Sequence, residues 1–166
     1  GTNSAISLID GGRVFNGSAT VLNALISGSG TGVYITHAAG TVTNFGTIAA
    51  TSSLRGGGVT FESGGSLINE GKIQSAAPAT LASVVYMGGG GSVTNTKNGA
   101  EIGVISGPGS GISFRGGPGP VTNSGSIQSS TANGIYLRGG GLITKQAGGL
   151  IDGAANCINK RGVDVS

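Results

Sequence analysis

Tyrosine and arginine recur at matched places along this chain, and their spacing could support ligand binding. Three tyrosines stand second in short apolar stretches such as "VYI", at Tyr34, Tyr86 and Tyr136. Three arginines stand two positions beyond the corresponding place in later stretches, at Arg115, Arg138 and Arg161. Aromatic rings stack, and guanidinium groups form forked hydrogen bonds with anionic groups. These residues are therefore candidates for binding a glycan or an anion.

A purely structural role would explain the same residues. Tyrosine can cover the outer face of a sheet, while arginine keeps the edge of that face hydrated. Arginines stacked in consecutive repeats would stand about 5 Å apart and would repel one another without a counter-charge. The sequence leaves both interpretations open.

Catalytic side chains are few and dispersed. The acids are scattered across different coils and columns, at Asp10, Glu62, Glu70, Glu101, Asp152 and Asp164, whereas polysaccharide cleavage requires carboxylates that converge in one cleft. Glu62 and Glu70 are the closest pair in sequence, but they are expected on different strands. His37, the sole histidine, follows "VYIT" and is expected on a surface turn. Cys157, the sole cysteine, is expected to be a half-buried and unreactive thiol. We therefore expect no enzyme activity, no catalytic residue, no metal and no cofactor.

Composition excludes several classes of protein. Of 166 residues 36 are glycine, but they lack the three-residue period of collagen. A content of 37% hydrophobic and 9% charged residues argues against disorder. The net charge of +3 is too weak for a nucleic-acid-binding surface, and no apolar run is long enough for a membrane helix. We expect neither a nucleic-acid partner nor a membrane span in this segment.

A repeated phrase describes the elements that must position these side chains. It reads "VTNFGTI" at 42–48, "LINEGKI" at 67–73 and "VTNSGSI" at 121–127, and it begins again in "VTNTKNGAEI" at 93–102. Its asparagines, spaced by 25 to 28 residues, are Asn16, Asn44, Asn69, Asn95 and Asn123, after which Lys145 takes the place. Residues 16–35 and 95–114 match without a gap. Repeats of this length indicate a solenoid.

Three short strands fill each repeat, because apolar and polar residues alternate with a period of two between turn residues. The first strands begin at Ile6, Val33, Val59, Val85, Ile112, Ile135 and Ile158. The third strands carry Ile48, Ile73, Ile102, Ile127 and Ile151. The sequence predicts an all-β parallel β-helix, or β-solenoid, with three short strands per coil, roughly six to seven coils and no significant helix. Residues 1–166 would form one domain, as a segment of a longer repeat protein or a filament subunit.

Stacking of the coils would give the asparagines a structural role. Each side-chain amide would bond to the next coil in a ladder, and asparagine also tolerates the left-handed backbone that a corner can require. A second stacked column would face outward from the second strands, at Phe15, Thr43, Ile68, Thr94, Thr122 and Thr144. A threonine array could bind ice, but Phe15 and Ile68 interrupt it, so β-propensity is the simpler explanation.

The phrases "GGSVTN" at 90–95, "VTNSGSI" and "NGIYLRGGG" at 133–141 resemble the passenger repeats of bacterial autotransporters, the secreted β-helical adhesins of Gram-negative bacteria. The resemblance covers nearly the whole chain. It implies an extracellular or bacterial cell-surface location, either anchored at the outer membrane or released, and an adhesive or structural role. It carries over no catalytic motif.

These observations favour a non-enzymatic structural or adhesive surface protein. It would be a rigid exported stalk or fibre segment that contacts glycans on a host or neighbouring cell. Terminal coils would present unpaired backbone groups, so copies are expected to stack end to end. The alternatives are a carbohydrate-active β-helix enzyme of lyase or hydrolase type, and an ice- or glycan-binding module.

Overall fold

The chain winds into a β-solenoid. The computed structural model describes residues 3–52, 56–77, 82–160 and 163–165, and all regular secondary structure in these residues is strand. Successive coils each contribute one strand to each of three parallel sheets, giving six complete coils and part of a seventh. The predicted fold class, with three strands per coil, is confirmed.

Two of the three sheets have seven strands. The first sheet contains β1 (Ser4–Leu8), β4 (Thr31–Ile35), β7 (Val59–Phe61), β10 (Ser83–Met87), β15 (Ser110–Phe114), β18 (Asn133–Leu137) and β21 (Asn156–Lys160). The second contains β2 (Gly12–Asn16), β5 (Gly40–Asn44), β8 (Gly65–Asn69), β11 (Gly91–Asn95), β16 (Val121–Asn123), β19 (Gly141–Lys145) and β22 (Val163–Val165).

The third sheet has six strands, and a small hairpin lies outside the stack. The sheet contains β3 (Leu25–Gly28), β6 (Thr47–Ala50), β9 (Lys72–Ser75), β14 (Val104–Gly107), β17 (Ser126–Ser129) and β20 (Leu150–Gly153). The hairpin consists of β12 (Lys97–Asn98) and β13 (Glu101–Ile102), which pair antiparallel.

The core consists of columns of like residues that stack along the solenoid axis. In the first sheet Val33, Val59, Val85, Ile112 and Ile135 pair in register and are all fully buried. Phe61 and Phe114 are the largest buried side chains. Each strand is too short to bury a face alone, so burial of these side chains, each contributing about 1.5–3 kcal/mol, depends on the neighbouring coils.

The third-sheet column differs from the prediction at one position. Ile105, and not Ile102, pairs with Ile73 and Ile127 and is fully buried. Ile102 lies on β13 and is 48% exposed. The prediction was wrong because the hairpin is inserted before the third strand, which therefore begins later in the sequence. Two isoleucines have similar neighbours in the sequence there, and the pattern does not distinguish them.

The asparagines form a continuous buried ladder. The Nδ2 of each donates to the Oδ1 of the next at 2.8 Å, in the order Asn16, Asn44, Asn69, Asn95 and Asn123. All five are at most 4% exposed. The expected left-handed backbone is wrong, since His37 is the only non-glycine described residue with a positive φ. The contribution of asparagine therefore comes from its side chain.

Each ladder amide also donates to a third-strand carbonyl of the next coil. The first four donate as well to a carbonyl at the corner of their own coil. Asn44 Nδ2 donates to Gly46 O at 3.1 Å and to Lys72 O at 3.2 Å, one in its own coil and one in the next. Asn95 makes the matching bonds to Gly103 O and Ser126 O. The ladder thus fixes the corner between the second and third sheets as well as the spacing of the coils.

The glycine of the Asn-x-Gly phrase is required by close packing between coils. A Cβ on Gly46 would collide with the carbonyl oxygen of Ala24, and one on Gly71 would collide with that of Gly46. Gly125 has the same relation to Gly103 O. Because backbone cannot move aside as a flexible side chain can, no other residue fits this place in the stack.

Replacing a ladder residue tests its contribution. Asn69→Ala leaves the Nδ2 of Asn44 and the Oδ1 of Asn95 each without one partner in the core, so we expect a loss of about 2–4 kcal/mol in unfolding free energy. Asn69→Asp should cost more at neutral pH, because its carboxylate would face oxygens that now accept hydrogen bonds. Urea unfolding followed by circular dichroism measures both, with the exposed Asn23→Ala as control. Equal effects at Asn69 and Asn23 would contradict the ladder's role.

Candidate functional site

The predicted tyrosines lie on the outer face of the first sheet. Backbone register stacks Ser7, Tyr34, Thr60, Tyr86, Ser113 and Tyr136 in successive coils. The three tyrosines are half-buried, and Arg115 and Arg138 are exposed just beyond β15 and β18. We call Tyr34, Tyr86, Tyr136, Arg115 and Arg138 the tyrosine–arginine strip. Arg161 lies outside the described residues.

Between Tyr86 and Tyr136 the outward position is the small residue Ser113, and the side chain of Arg115 occupies the space beside it. Arg115 Nε donates to Ser113 Oγ at 3.2 Å, and its guanidinium carbon lies 5.1 Å from the centre of the Tyr136 ring. Ser113 is fully buried beneath this arrangement. A cation–π contact at an exposed site contributes about 0.5–1 kcal/mol. Arg115 is thus partly engaged within the strip, whereas Arg138 projects from the next coil without a hydrogen-bond or ion-pair partner among the described residues.

Between Tyr34 and Tyr86 the outward position is Thr60. A depression of about 140 Å³ lies there, lined by Gly56, Gly57, Thr60, Glu62, Ala82, Ser83 and Tyr86. Ligand pockets usually have volumes of about 300–1,000 Å³. The depression therefore suits contact with part of a larger ligand lying along the sheet, with the Tyr86 ring at one side and the Glu62 carboxylate available as an acceptor.

The other predicted columns have different surroundings. The ladder asparagines are buried and have no surface for a ligand. Backbone register stacks the outward column of the second sheet as Phe15, Thr43, Ile68, Thr94, Thr122 and Thr144. This column is single and is interrupted twice, so it offers no regular two-column threonine array.

Two insertions at the same corner were missed by sequence reasoning. In three coils the link between second and third sheets is one residue and a glycine, as in Phe45-Gly46. Six extra residues occur there in the first coil, at 18–23, and in the fourth, at 97–102. The hairpin base is closed by a bond from Gly103 N to Thr96 O at 2.8 Å. The signal was present in the two Asn spacings of 28 and in the gapless match of 16–35 with 95–114.

The insertions bound a cleft over the turns of the second and third coils. Asn98 Nδ2 donates to Ala19 O at 3.0 Å and so joins residues 79 positions apart in the chain. The cleft has a volume of about 320 Å³ and is lined by Leu22, Phe45, Gly46, Thr47, Glu70, Gly71, Lys72, Glu101, Ile102 and Val104. We call it the corner cleft.

The corner cleft combines apolar walls with charge. Leu22 and Ile102 are 40% and 48% exposed. Glu70 is half-buried, and Glu101 and Lys72 are exposed. None of these three charged side chains has a hydrogen bond or ion pair with another described residue. The structure therefore brings together two carboxylates that the sequence placed in separate repeats.

The sole histidine and the sole cysteine are both exposed to solvent. His37 is exposed on a turn, as expected, with Nδ1 3.1 Å from Ile9 O. Cys157 is exposed, so the expectation of a half-buried thiol was wrong. It lies on β21, the edge strand of the first sheet within the described residues, where no further coil covers it.

The described part of the chain contains no group of three or more His, Cys, Asp or Glu residues that could hold a metal ion. It also contains no helix that is long and apolar enough to cross a membrane. No protein-family model, curated protein or solved structure matches the chain. The assignment of function therefore depends on the two surfaces described above.

Deleting residues 97–102 tests whether the hairpin is separate from the stack. The deletion joins Thr96 to Gly103 and restores the Asn-x-Gly turn of the neighbouring coils. We expect the unfolding free energy to change by less than about 1 kcal/mol, because the hydrogen bonds lost are those within the surface hairpin and the exposed bond from Asn98 to Ala19, while the stacked sheets are untouched. Deletion of 91–96, equal in length but removing β11, should prevent folding. Similar damage from both deletions, measured by circular dichroism and thermal unfolding, would contradict this.

Proposed function

We propose that this chain is a non-enzymatic structural or adhesive segment of an extracellular or bacterial surface protein, similar in role to autotransporter passengers, and that its tyrosine–arginine strip contacts glycans. The observation that carries the proposal is the strip itself. It places aromatic rings and guanidinium groups at regular levels along one open face of a rigid stack. An open face of this kind can contact several successive units of a linear polymer, whereas an enclosed pocket cannot.

The repeat distances of the strip suit an extended ligand. Tyr34, Tyr86 and Tyr136 occupy every second coil, so their rings stand about 10 Å apart along the axis. The open depression at Thr60 lies between the levels of the first two tyrosines. Arg138, two coils beyond Tyr86, supplies a cation that has no ion-pair partner in the part of the chain that the structure describes. One chain of sugars could therefore contact a ring and a cation at separate points, which increases affinity through multivalency.

Rigidity supports the structural part of the proposal. Three parallel sheets, apolar columns and an asparagine ladder connect every described coil to the next. A stalk or fibre requires this kind of continuous axial bonding, since each repeat is stabilised by its neighbours.

Self-association is proposed at the edge formed by β1, β2 and β3. Ile6, Leu8 and Ile26 point toward the core but are only partly buried, whereas the equivalent residues in the next coil are fully buried. A second copy stacked on this edge would cover them and pair the free backbone groups.

Glycan binding is tested by an array of neutral, uronic-acid-containing and sulfated oligosaccharides. The double variant Arg115→Ser, Arg138→Ser should bind anionic glycans at least about tenfold more weakly. It should keep its fold and lose no more than about 2 kcal/mol in unfolding free energy, from the contacts of Arg115 with Tyr136 and Ser113. Tyr86→Ser should weaken binding of neutral and anionic glycans alike. Arg13→Ser, on an exposed site of the second sheet, is the matched control. Unchanged binding in the double variant would refute the role of the strip, and release of new reducing ends would instead favour the enzyme alternative.

Axial stacking is tested by sedimentation and electron microscopy over a wide range of protein concentration. We expect filaments or oligomers that lengthen with concentration and that are suppressed by Ile26→Asp, which places a charge on the stacking edge. The control is Ile68→Asp, the same substitution at an outward-facing, half-buried isoleucine on β8, in the middle of the stack and away from both ends. Monomers at every concentration would remove the self-association proposal.

A further inference from the structure

We propose that the corner cleft is a docking site for an extended segment of another polypeptide, with one basic side chain between aliphatic ones. This inference is independent of glycan binding, because the cleft lies at the corner between the second and third sheets and the tyrosine–arginine strip lies on the first.

Exposed apolar side chains are concentrated at this corner. Five of the large hydrophobic residues that are exposed lie in the insertions or beside them, at Phe15, Val21, Leu22, Leu25 and Ile102, with 67%, 50%, 40%, 66% and 48% of their surface exposed. Leu25 stacks in register on Thr47 and then Lys72, which line the cleft. Clustered apolar exposure with a polar rim is typical of protein interaction sites.

The stack of coils does not require the inserted residues. Three coils make the same connection with one residue and a glycine. The insertions add Val21, Leu22 and Ile102, all exposed, and core packing does not explain them. The Asn98 bond to Ala19 holds the two insertions together across the intervening coils and so fixes the width of the cleft.

The charge of the cleft favours a basic partner. Glu70 and Glu101 both line the cleft without an ion-pair partner among the described residues, and Lys72 is the only cation of the lining. The cleft is therefore locally acidic on a chain with a net charge of +3. A basic side chain placed between the carboxylates would pair with both, and its aliphatic stem would lie against Leu22 and Ile102.

The size and walls of the cleft favour a peptide. Its volume of about 320 Å³ is at the lower end of the range for ligand pockets, enough for one or two side chains of an extended segment but not for a helix. The projecting walls, Leu22 and Ile102, are aliphatic, so they pack well against aliphatic side chains, and the half-buried Phe45 adds apolar surface to the lining.

The test is an NMR titration of the ¹⁵N-labelled full chain with two capped peptides. One is acetyl-Leu-Ala-Lys-Ala-Leu-amide, and the other has norleucine, an uncharged residue of similar shape, in place of lysine. We expect saturable shifts at the amides of Leu22, Glu70 and Ile102. The lysine peptide should bind about fivefold more tightly than the norleucine peptide, and the difference should disappear at high salt.

Variants with opposite expected signs separate docking from a general loss of structure. Glu70→Gln with Glu101→Gln should reduce the affinity for the lysine peptide to that for the norleucine peptide. Lys72→Gln should increase affinity for the lysine peptide, because it removes the competing cation. Deletion of residues 97–102 should abolish binding of both peptides. Glu62→Gln, a carboxylate beside the strip, should change nothing.

Three outcomes would overturn the proposal. The first is the absence of saturable shifts with either peptide. The second is equal affinity for both peptides at low salt. The third is a neutral oligosaccharide, such as cellohexaose, that shifts the corner-cleft amides when the peptides do not, which would make the cleft a glycan site. None of these results affects the glycan test of the strip, whose variants lie on the first sheet.

Discussion

The superposition of equivalent residues in successive coils is the constraint on which this structure depends. Strands of three to five residues in the stacked sheets cannot bury a face alone, so each coil is stabilised by the coils above and below it. Every position is then restricted by its own copies. An inward position must be apolar in each coil or, as in the asparagine ladder, must be satisfied by its own copies. The glycine of Asn-x-Gly must leave room for the carbonyl oxygen of the preceding coil, as Gly71 does for Gly46. The high glycine content and the small apolar residues follow from this restriction.

Asparagine meets the constraint in a way that few residues can. Its amide carries both donor and acceptor, so identical side chains satisfy one another in a column, and the second N–H remains for turn carbonyls. The ladder ends where the next residue in the column has no side-chain amide. Lys145 follows Asn123 in register but has no acceptor, so the ladder bond is missing there. Asn123 Nδ2 keeps only its bond to the next coil, to Leu150 O at 2.9 Å, which is equivalent to the bond from Asn95 to Ser126 O. Continuity of the ladder therefore depends on residue identity as well as on polarity.

Recurrence made the columns predictable, and its absence made the corner cleft unpredictable. The asparagines, the first-strand apolar residues and the tyrosines could be placed because the same residue types return at a nearly constant spacing. The hairpin has no equivalent in the neighbouring coils. Its sequence "NGAEI" also resembles the residues that precede a third strand in other coils. Ile102 and Ile105 were therefore indistinguishable by alternation, and the bond between Gly103 and Thr96, which a sequence does not reveal, decides between them. The hydrogen bond from Asn98 to Ala19 also depends on the orientation of two loops, which a repeat pattern does not predict.

The two surfaces proposed to bind ligands follow from two degrees of freedom in a solenoid. Outward positions of a strand keep their register but tolerate many side chains, so tyrosine and arginine can occupy the first sheet without disturbing the core. A corner insertion is freer still, because six residues can be added between Thr96 and Gly103 while the strands on both sides remain in register. Glu101 and Ile102 belong to residues that have no equivalent in the neighbouring coils. Such residues are released from the stacking constraint, and selection for packing does not account for their exposed apolar and acidic character. Recognition of a partner accounts for it directly.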